Sequence, residues 1–248
     1  MDSPSPLADH CVLVTGGAKR LGAAIGRRLH AAGANVVVHY YRSRDSADAL
    51  VAELESARAN SACAVRSDLH DVAHLPQVVA AACERFGRLD ILVNNASSFY
   101  PTPLGTITAA QFDDLVGTNL RAPLFLSQAA APALRASRGL ILNMVDIHGR
   151  RPLKDHSVYC AAKAGLVMLT KALARELGPE VRVNGIAPGP VLWPERDLVA
   201  SLKDEIIAKT ALKRPGAPLD IARAAYYFAA DAPYVTGEII TVDGGRSL

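Results

Sequence analysis

Short, almost wholly apolar runs alternate with longer segments of helical pattern along the chain, and this alternation constrains the fold more than any other feature. Cys11–Thr15 (C-V-L-V-T) is the first strand-like run. A helix is predicted over Gly22–Ala32, ending at Gly33 as a natural C-cap. Asn35–Tyr40, with three consecutive valines, reads as the second strand, Asp45–Ala59 as a helix and Ala62–Arg66 as the third strand. Ala73–Phe86 is a predicted helix with Pro76 in its first turn, and Leu89–Val93 the next strand. Thr108 with Gln111 three residues later forms a capping-box signature, opening a helix that Pro123 is expected to kink. Leu140–Val145, Val181–Ile186 and Glu238–Thr241 read as strands, Ser157–Leu177 and Leu219–Ala230 as helices. Strands apolar on both faces must be covered on both faces, which calls for a parallel sheet between two helical layers. The expectation is an α/β fold, one doubly wound domain over residues 9–248 behind an N-terminal tail at 1–8. No linker, composition shift or internal repeat divides it. The Pro-rich stretch 188–216 lacks clear periodicity and is read as a substrate loop or lid.

Composition narrows the function. Of 248 residues, 50% are hydrophobic, enough to build a real core and to exclude disorder. The formal charge of +3, evenly spread, argues against nucleic acid or an anionic membrane as partner. Apolar runs such as Val36–Val38 fall far below the roughly 18 residues of a membrane span, and Met1–Pro6 lacks the features of a secretory signal. Cys11, Cys63, Cys83 and Cys160 stand far apart, without a C-x-x-C pair, so they are read as thiols in a reducing compartment. The expected location is cytoplasmic, and no metal site is expected.

Directly after the first strand comes Thr15-Gly16-Gly17-Ala18-Lys19-Arg20-Leu21-Gly22, running into a helix. A glycine turn there lets backbone N–H groups and the helix dipole meet a pyrophosphate, so a dinucleotide is the expected cofactor. The end of the second strand chooses which one. An NAD site needs Asp or Glu to hold the ribose 2′-hydroxyl. This chain has His39-Tyr40-Tyr41-Arg42-Ser43-Arg44, with no acid before Asp45. A guanidinium fork and a serine hydroxyl suit a 2′-phosphate, so NADPH is preferred over NADH.

Tyr159 and Lys163 are four residues apart on a predicted helix and share a face. A tyrosine of ordinary pKa about 10 is a poor acid–base group at neutral pH unless a cation favours its phenolate, and Lys163 is placed to be that cation. With the glycine turn and Asn94-Asn95-Ala96 after the fourth strand, the pair becomes specific.

At these residues the sequence resembles the short-chain dehydrogenase/reductase family over nearly its full length, which implies a Rossmann fold. The matching pieces are Thr15–Gly22, Asp68-Leu69, Asn94-Asn95-Ala96, Asn119, Tyr159-x-x-x-Lys163, Pro188-Gly189 and Val242-Asp243-Gly244-Gly245. The resemblance implies cofactor contacts from Gly16, Leu21 and Gly22 in the turn, and from Tyr41, Arg42 and Ser43 beyond the second strand. Asp68 and Leu69 would lie beside the adenine, Asn95 and Ala96 near the ribose, with Pro188 and Gly189 closing the site. It further implies that Asn119 holds a proton-relay water through backbone distortion. Tyr159 would donate the proton; Lys163 would bind the nicotinamide ribose and lower the tyrosine pKa.

Two departures from the common pattern are informative. Arg20 stands where the turn usually has glycine, and Asp146 stands thirteen residues before Tyr159, where a catalytic serine is usual. A serine hydroxyl donates to a ketone oxygen, whereas an ionised carboxylate repels it and suits ring nitrogens instead. Both departures occur in the pteridine reductase branch, and the resemblance extends to His39–Ser43 and Asn95–Leu104. A bacterial relative, dihydromonapterin reductase, is similar in its arginine turn and its Asp…Tyr…Lys arrangement.

In that branch the position of Phe99 stacks the flat pterin against the nicotinamide. Ser97 would bond the pterin or a cofactor phosphate, and Arg20 would lie between phosphates and substrate. The implied reaction is NADPH-dependent reduction of a dihydropterin, or of dihydrofolate, with the proton coming from Tyr159, Asp146 or water. Trp193, the only tryptophan, would touch the substrate tail or pack beneath the lid. The resemblance also implies a homotetramer built through the long helices, with Arg246-Ser247-Leu248 reaching a neighbouring subunit. Two alternatives stand beside this reading: a general NADPH-dependent carbonyl reductase, and a non-catalytic NADP-binding regulator.

Overall fold

The structure, a computed structural model, describes residues 5–191 and 200–248. Seven parallel strands form one sheet in the order β3-β2-β1-β4-β5-β6-β7. The strands are β1 (Cys11–Val14), β2 (Asn35–Tyr40), β3 (Ala62–Arg66), β4 (Ile91–Asn94), β5 (Leu140–Met144), β6 (Arg182–Pro188) and β7 (Ile239–Val242). Register is continuous across the middle: Leu13 pairs with Val37 on one side and Leu92 on the other, and Leu92 with Ile141.

The five inner strands bury both faces, as their apolar runs require, while the edge strands β3 and β7 are partly exposed. Val12 and Val14 face a layer made by α1 (Arg20–His30), α2 (Arg44–Ala57) and α8 (Pro218–Tyr226). Cys11 and Leu13 face the opposite layer of α3 (Leu75–Phe86), α5 (Ala122–Ser137) and α6 (Ser157–Leu177). This is the doubly wound, single-domain α/β fold the alternation called for.

Every strand points the same way, so all loops after strands gather at one edge. The strand order reverses between β1 and β4, and in such sheets the crevice at that reversal is where ligands bind. Two buried asparagines hold the crevice floor together. Asn94 Nδ2 donates to Asn143 Oδ1 at 2.8 Å, and Asn143 Nδ2 donates to Thr170 Oγ1 of α6 at 2.9 Å. The mouths of β4 and β5 are thereby locked to the helix that carries Tyr159.

Several boundaries differ from expectation, each for a local reason. α1 ends at His30, and Gly33 (φ +105°) serves the turn that follows instead of the cap. The Thr108 capping box opens α4 (Ala109–Val116) as expected. The irregularity ahead of Pro123 is a π-helical turn, Gly117–Arg121, because proline supplies no N–H for the preceding ladder. A second π turn, Tyr227–Asp231, ends the helix expected to run to Ala230. Within the stretch read as an aperiodic lid lies α7 (Ala200–Ala208). Residues 5–8, read as tail, dock on the body: Leu7 is 1% exposed and its N–H donates to Ala32 O at 2.9 Å.

Candidate active site

The turn after β1 is braced from three directions. Gly16 adopts φ +57° and donates its N–H to His39 Nδ1 at 3.2 Å. His39 Nε2 lies 3.2 Å from Ser67 O, a pairing that needs the proton on Nε2 and leaves Nδ1 as acceptor. Burial pushes His39 down to about 4, so it stays neutral and keeps this tautomer. Asn95 Nδ2 donates to Thr15 O (2.8 Å) and Gly16 O (3.1 Å), while Thr15 Oγ1 accepts the N–H groups of Asn95 and Ala96.

Gly22 lies against this turn so closely that a Cβ would stand 2.4 Å from Gly16 O. Arg20 holds φ +52°, a conformation that costs an L-residue energy and that glycine adopts freely. Arg20→Gly relieves this strain, about 1–2 kcal/mol, but gives up the interaction that the arginine side chain makes and adds flexibility to the unfolded chain, so the net change in stability should stay within about 1 kcal/mol. Thermal denaturation measures the change.

Around the turn lies a cleft of about 560 Å³. Gly16, Arg20, Leu21 and Gly22 line it, together with Tyr41, Arg42 and Ser43 beyond β2 and Asp68 and Leu69 beyond β3. Asn95, Ala96 and Ser97 form the wall toward Tyr159. Ser43 is the N-cap of α2 yet makes no capping bond, so its hydroxyl is not spent on the helix. The Arg42 guanidinium sits 5.0 Å from the Tyr41 ring centre. The N-terminus of α1 likewise has no side-chain cap and no acidic residue in its first turn, which leaves it suited to an anion. Pro188 and Gly189 stand apart from these walls: they close β6, and Gly189 N–H donates to Val242 O. Trp193 lies outside the described residues.

Beside the cleft, β5, α6 and the π turn bring the catalytic candidates together. The Tyr159 hydroxyl donates to Asp146 Oδ2 at 2.8 Å, and Asp146 Oδ1 accepts the His148 N–H at 2.8 Å. Lys163, 2% exposed, donates from Nζ to Met144 O at 2.8 Å and lies 5.7 Å from the Tyr159 ring centre. Asn119, fully buried in the π turn, accepts the Ser97 hydroxyl at 2.7 Å and donates to Ser98 O and Leu115 O.

The electrostatics overturn one expectation. Tyr159 is not made acidic: burial, and then the Asp146 carboxylate, push its phenol well above the ordinary 10. Burial meanwhile drives the Lys163 ammonium down to about 8, against a smaller upward pull from Asp146. The Lys163 ammonium, still charged at neutral pH, donates to Met144 O and stays 5.7 Å from the ring centre, whereas the Asp146 carboxylate, a like charge for the phenolate, contacts the phenol directly. The phenol stays protonated and hydrogen-bonded to the carboxylate, so the two form a proton-holding pair.

Phe99, 43% exposed, meets the Tyr159 ring edge-to-face at 4.8 Å between centres. His156 stacks flat on Phe99, also at 4.8 Å with 18° between planes. Sequence reasoning missed His156, although an aromatic ring three residues before Tyr159 at a helix start shares its face. Its Nδ1 lies 2.7 Å from Lys154 O, which requires a proton on Nδ1 and leaves Nε2 of the neutral ring an acceptor. Sequence reasoning also missed the bracing role of His39, visible only once β2 is set beside β1. Cys160 is structural, its Sγ accepting the Leu153 N–H at 3.4 Å.

Similarity to known proteins runs through all of these parts. A family model described as enoyl-(acyl carrier protein) reductase matches residues 16–247. Pteridine reductase 1 of Leishmania tarentolae is 36% identical over an alignment covering 95% of this chain and 96% of that protein. The 3-oxoacyl-(acyl-carrier-protein) reductase of Staphylococcus aureus is 34% identical, over 95% of this chain and 97% of that one. Among solved structures, a double mutant of a Serratia marcescens short-chain dehydrogenase/reductase superposes with a TM-score of 0.92 at 34% identity. It covers 98% of this chain and 100% of that one. Because the likeness spans the turn, the cleft and the Tyr159–Lys163 helix over almost the whole length, the chain belongs to the short-chain dehydrogenase/reductase family of oxidoreductases.

Proposed function

We infer that the chain reduces a dihydropterin ring to the tetrahydropterin, with NADPH as reductant. The observation that carries this reading is the Asp146 carboxylate accepting the Tyr159 hydroxyl at 2.8 Å, where a ketone-reducing member would present a serine. A carboxylate repels the oxygen of a ketone but accepts from ring N–H groups and helps pass a proton to a ring nitrogen. Phe99 supports the reading as a half-exposed aromatic platform beside Tyr159, suited to a flat heterocycle.

The cleft fits a phosphorylated dinucleotide. The uncapped start of α1 and the close approach allowed by Gly22 suit a pyrophosphate. Arg42 and the unspent Ser43 hydroxyl suit a 2′-phosphate. Asp68 and Leu69 would hold the adenine, Asn95, Ala96 and Lys163 the riboses, and Pro188 and Gly189 would close the nicotinamide end. NADPH, when bound, supplies the hydride. Arg20 and Ser97 then orient the pterin, and Asp146 and Tyr159 together hold the proton destined for the ring nitrogen. Asn119 in its π turn keeps the peptide groups behind that pair in place for a relay water. Exposed Phe112, Leu124 and Met168 on α4, α5 and α6 support self-association through these helices, consistent with a homotetramer.

A second reading, a carbonyl reductase acting on ketones or acyl-carrier-bound keto groups, draws support from the Staphylococcus aureus relative, almost as similar as the pteridine reductase. NADPH oxidation with dihydrobiopterin, dihydromonapterin and dihydrofolate, repeated with NADH and with a 3-oxoacyl thioester, separates the two. Turnover of a pterin with NADPH and little with NADH is expected. Asp146→Ser should cut pterin turnover by about ten- to a hundred-fold while raising that of the thioester. Silence on all three pterins with NADPH still bound sinks the pterin reading, and silence on the thioester as well leaves a non-catalytic regulator.

A further inference from the structure

A second polar cluster, outside the Tyr159–Asp146 pair, stands in the cleft wall around Asp114 of α4. Asp114 Oδ2 accepts the Tyr100 hydroxyl at 2.9 Å. Its Oδ1 lies 3.4 Å from the Ser98 hydroxyl and 3.2 Å from His70 Nε2. Thr118 closes the ring: its hydroxyl lies 3.3 Å from Ser98 Oγ and 3.0 Å from His70 Nε2. The His70 ring rests on the π turn so closely that a Cβ at Gly117 would stand 2.7 Å from it. Burial and the Asp114 carboxylate push the Tyr100 phenol up to about 12, so it remains a donor at neutral pH.

One carboxylate thus ties together three segments far apart in sequence. They are the loop after β3, the loop after β4, and the helix that leads into the π turn. What makes this more than a structural knot is which residues the tied positions flank. Ser98 and Tyr100 bracket Phe99, whose ring lies against Tyr159. Gly117 and Thr118 immediately precede Asn119, which itself bonds Ser97 and Ser98. The loop carrying Phe99 has no regular secondary structure to fix its plane, so anchors on both sides of the ring must do so.

We propose that Asp114 is a positioning residue: through Tyr100 and Ser98 it sets the plane of the Phe99 platform, and through His70 and Thr118 it steadies the Asn119 turn that bonds the same loop. It acts on substrate only through these neighbours. The substrate side of this inference rests on the pterin reading; the positioning of the loop does not.

The test uses the full-length protein with Asp114→Ala, Asp114→Asn and Tyr100→Phe, measuring NADPH affinity, KM and kcat for the preferred dihydropterin, and amide hydrogen exchange of residues 97–104. In Asp114→Ala, KM should rise by about ten-fold and exchange in 97–104 should quicken, with NADPH affinity within about two-fold of the parent. Asp114→Asn, whose amide oxygen still accepts from Tyr100, should restore most of the KM, and Tyr100→Phe should reproduce part of the loss. Unchanged KM and exchange in a folded Asp114→Ala overturn the proposal. So does a loss of NADPH affinity as large as that of KM, which marks general damage. If the parent turns over no pterin, the pterin reading fails by itself, and exchange in 97–104 still decides for or against Asp114.

Discussion

Replacing Tyr159 by phenylalanine is expected to lower kcat by about 10²- to 10⁴-fold, with cofactor affinity nearly unchanged. The variant keeps the ring and its packing on Phe99, Leu115 and Val158, and removes only the hydroxyl. That hydroxyl donates to Asp146 Oδ2, and burial with the neighbouring carboxylate holds its proton on the phenol well past neutral pH. Its loss empties half of the proton-holding pair and leaves Asp146, which is part-exposed, to be solvated by water. Stability should therefore shift by only about 1 kcal/mol. Stopped-flow NADPH oxidation and a fluorescence titration of NADPH measure the two quantities. A variant with parental kcat would remove Tyr159 from the chemistry and leave Asp146 or water as the donor.

Lys163→Met should abolish turnover and yet make the ligand-free protein more stable. Burial at 2% exposure pulls the ammonium from its ordinary 10.5 to about 8, with Met144 O its direct hydrogen-bond partner among the described residues. Between about pH 8 and 10.5 an unfolded chain holds this proton and the folded one does not. Stability must then rise with pH across that window, and below pH 8 the fold bears a penalty on the order of 3 kcal/mol. Methionine carries no such charge, so the difference in stability between the two proteins should be largest near neutral pH and shrink between pH 8 and 10.5. Urea denaturation at pH 7 and pH 10 reads it; a methionine variant less stable than its parent at pH 7 would show that the ammonium is not a burden. A fold that keeps a buried charge near its active site is holding it for function.

How far the sequence carried the argument differs from one part of the chain to another. The helix Ser157–Leu177 was legible to the residue, because a long apolar pattern starts at a small polar residue and stops at Gly178-Pro179. The Thr108 capping box was legible too, since its two reciprocal bonds are local. The π turns at Gly117–Arg121 and Tyr227–Asp231 were not, because a single extra residue in a turn leaves the apolar spacing almost unchanged. α7 was hidden by its weak amphipathic pattern among the prolines of the following segment.

Within the site, the glycine turn, the Tyr159–Lys163 spacing and the carboxylate at Asp146 could be read as types of residue at set separations. Their electrostatic relation could not. Spacing places a lysine on the same helix face as a tyrosine, but it does not say that the ammonium turns to Met144 O while the phenol turns to Asp146. Nor does it say that Asp114 gathers Ser98, Tyr100 and His70, positions as much as 44 residues from it along the chain. The sequence alone determined the alternation of buried strands and helices, the glycine turn and the choice of chemical groups, because each depends on local pattern and covalent identity. Only the tertiary structure decided which group meets which and in what protonation state, because burial and hydrogen-bond partners are properties of segments brought together from across the sheet.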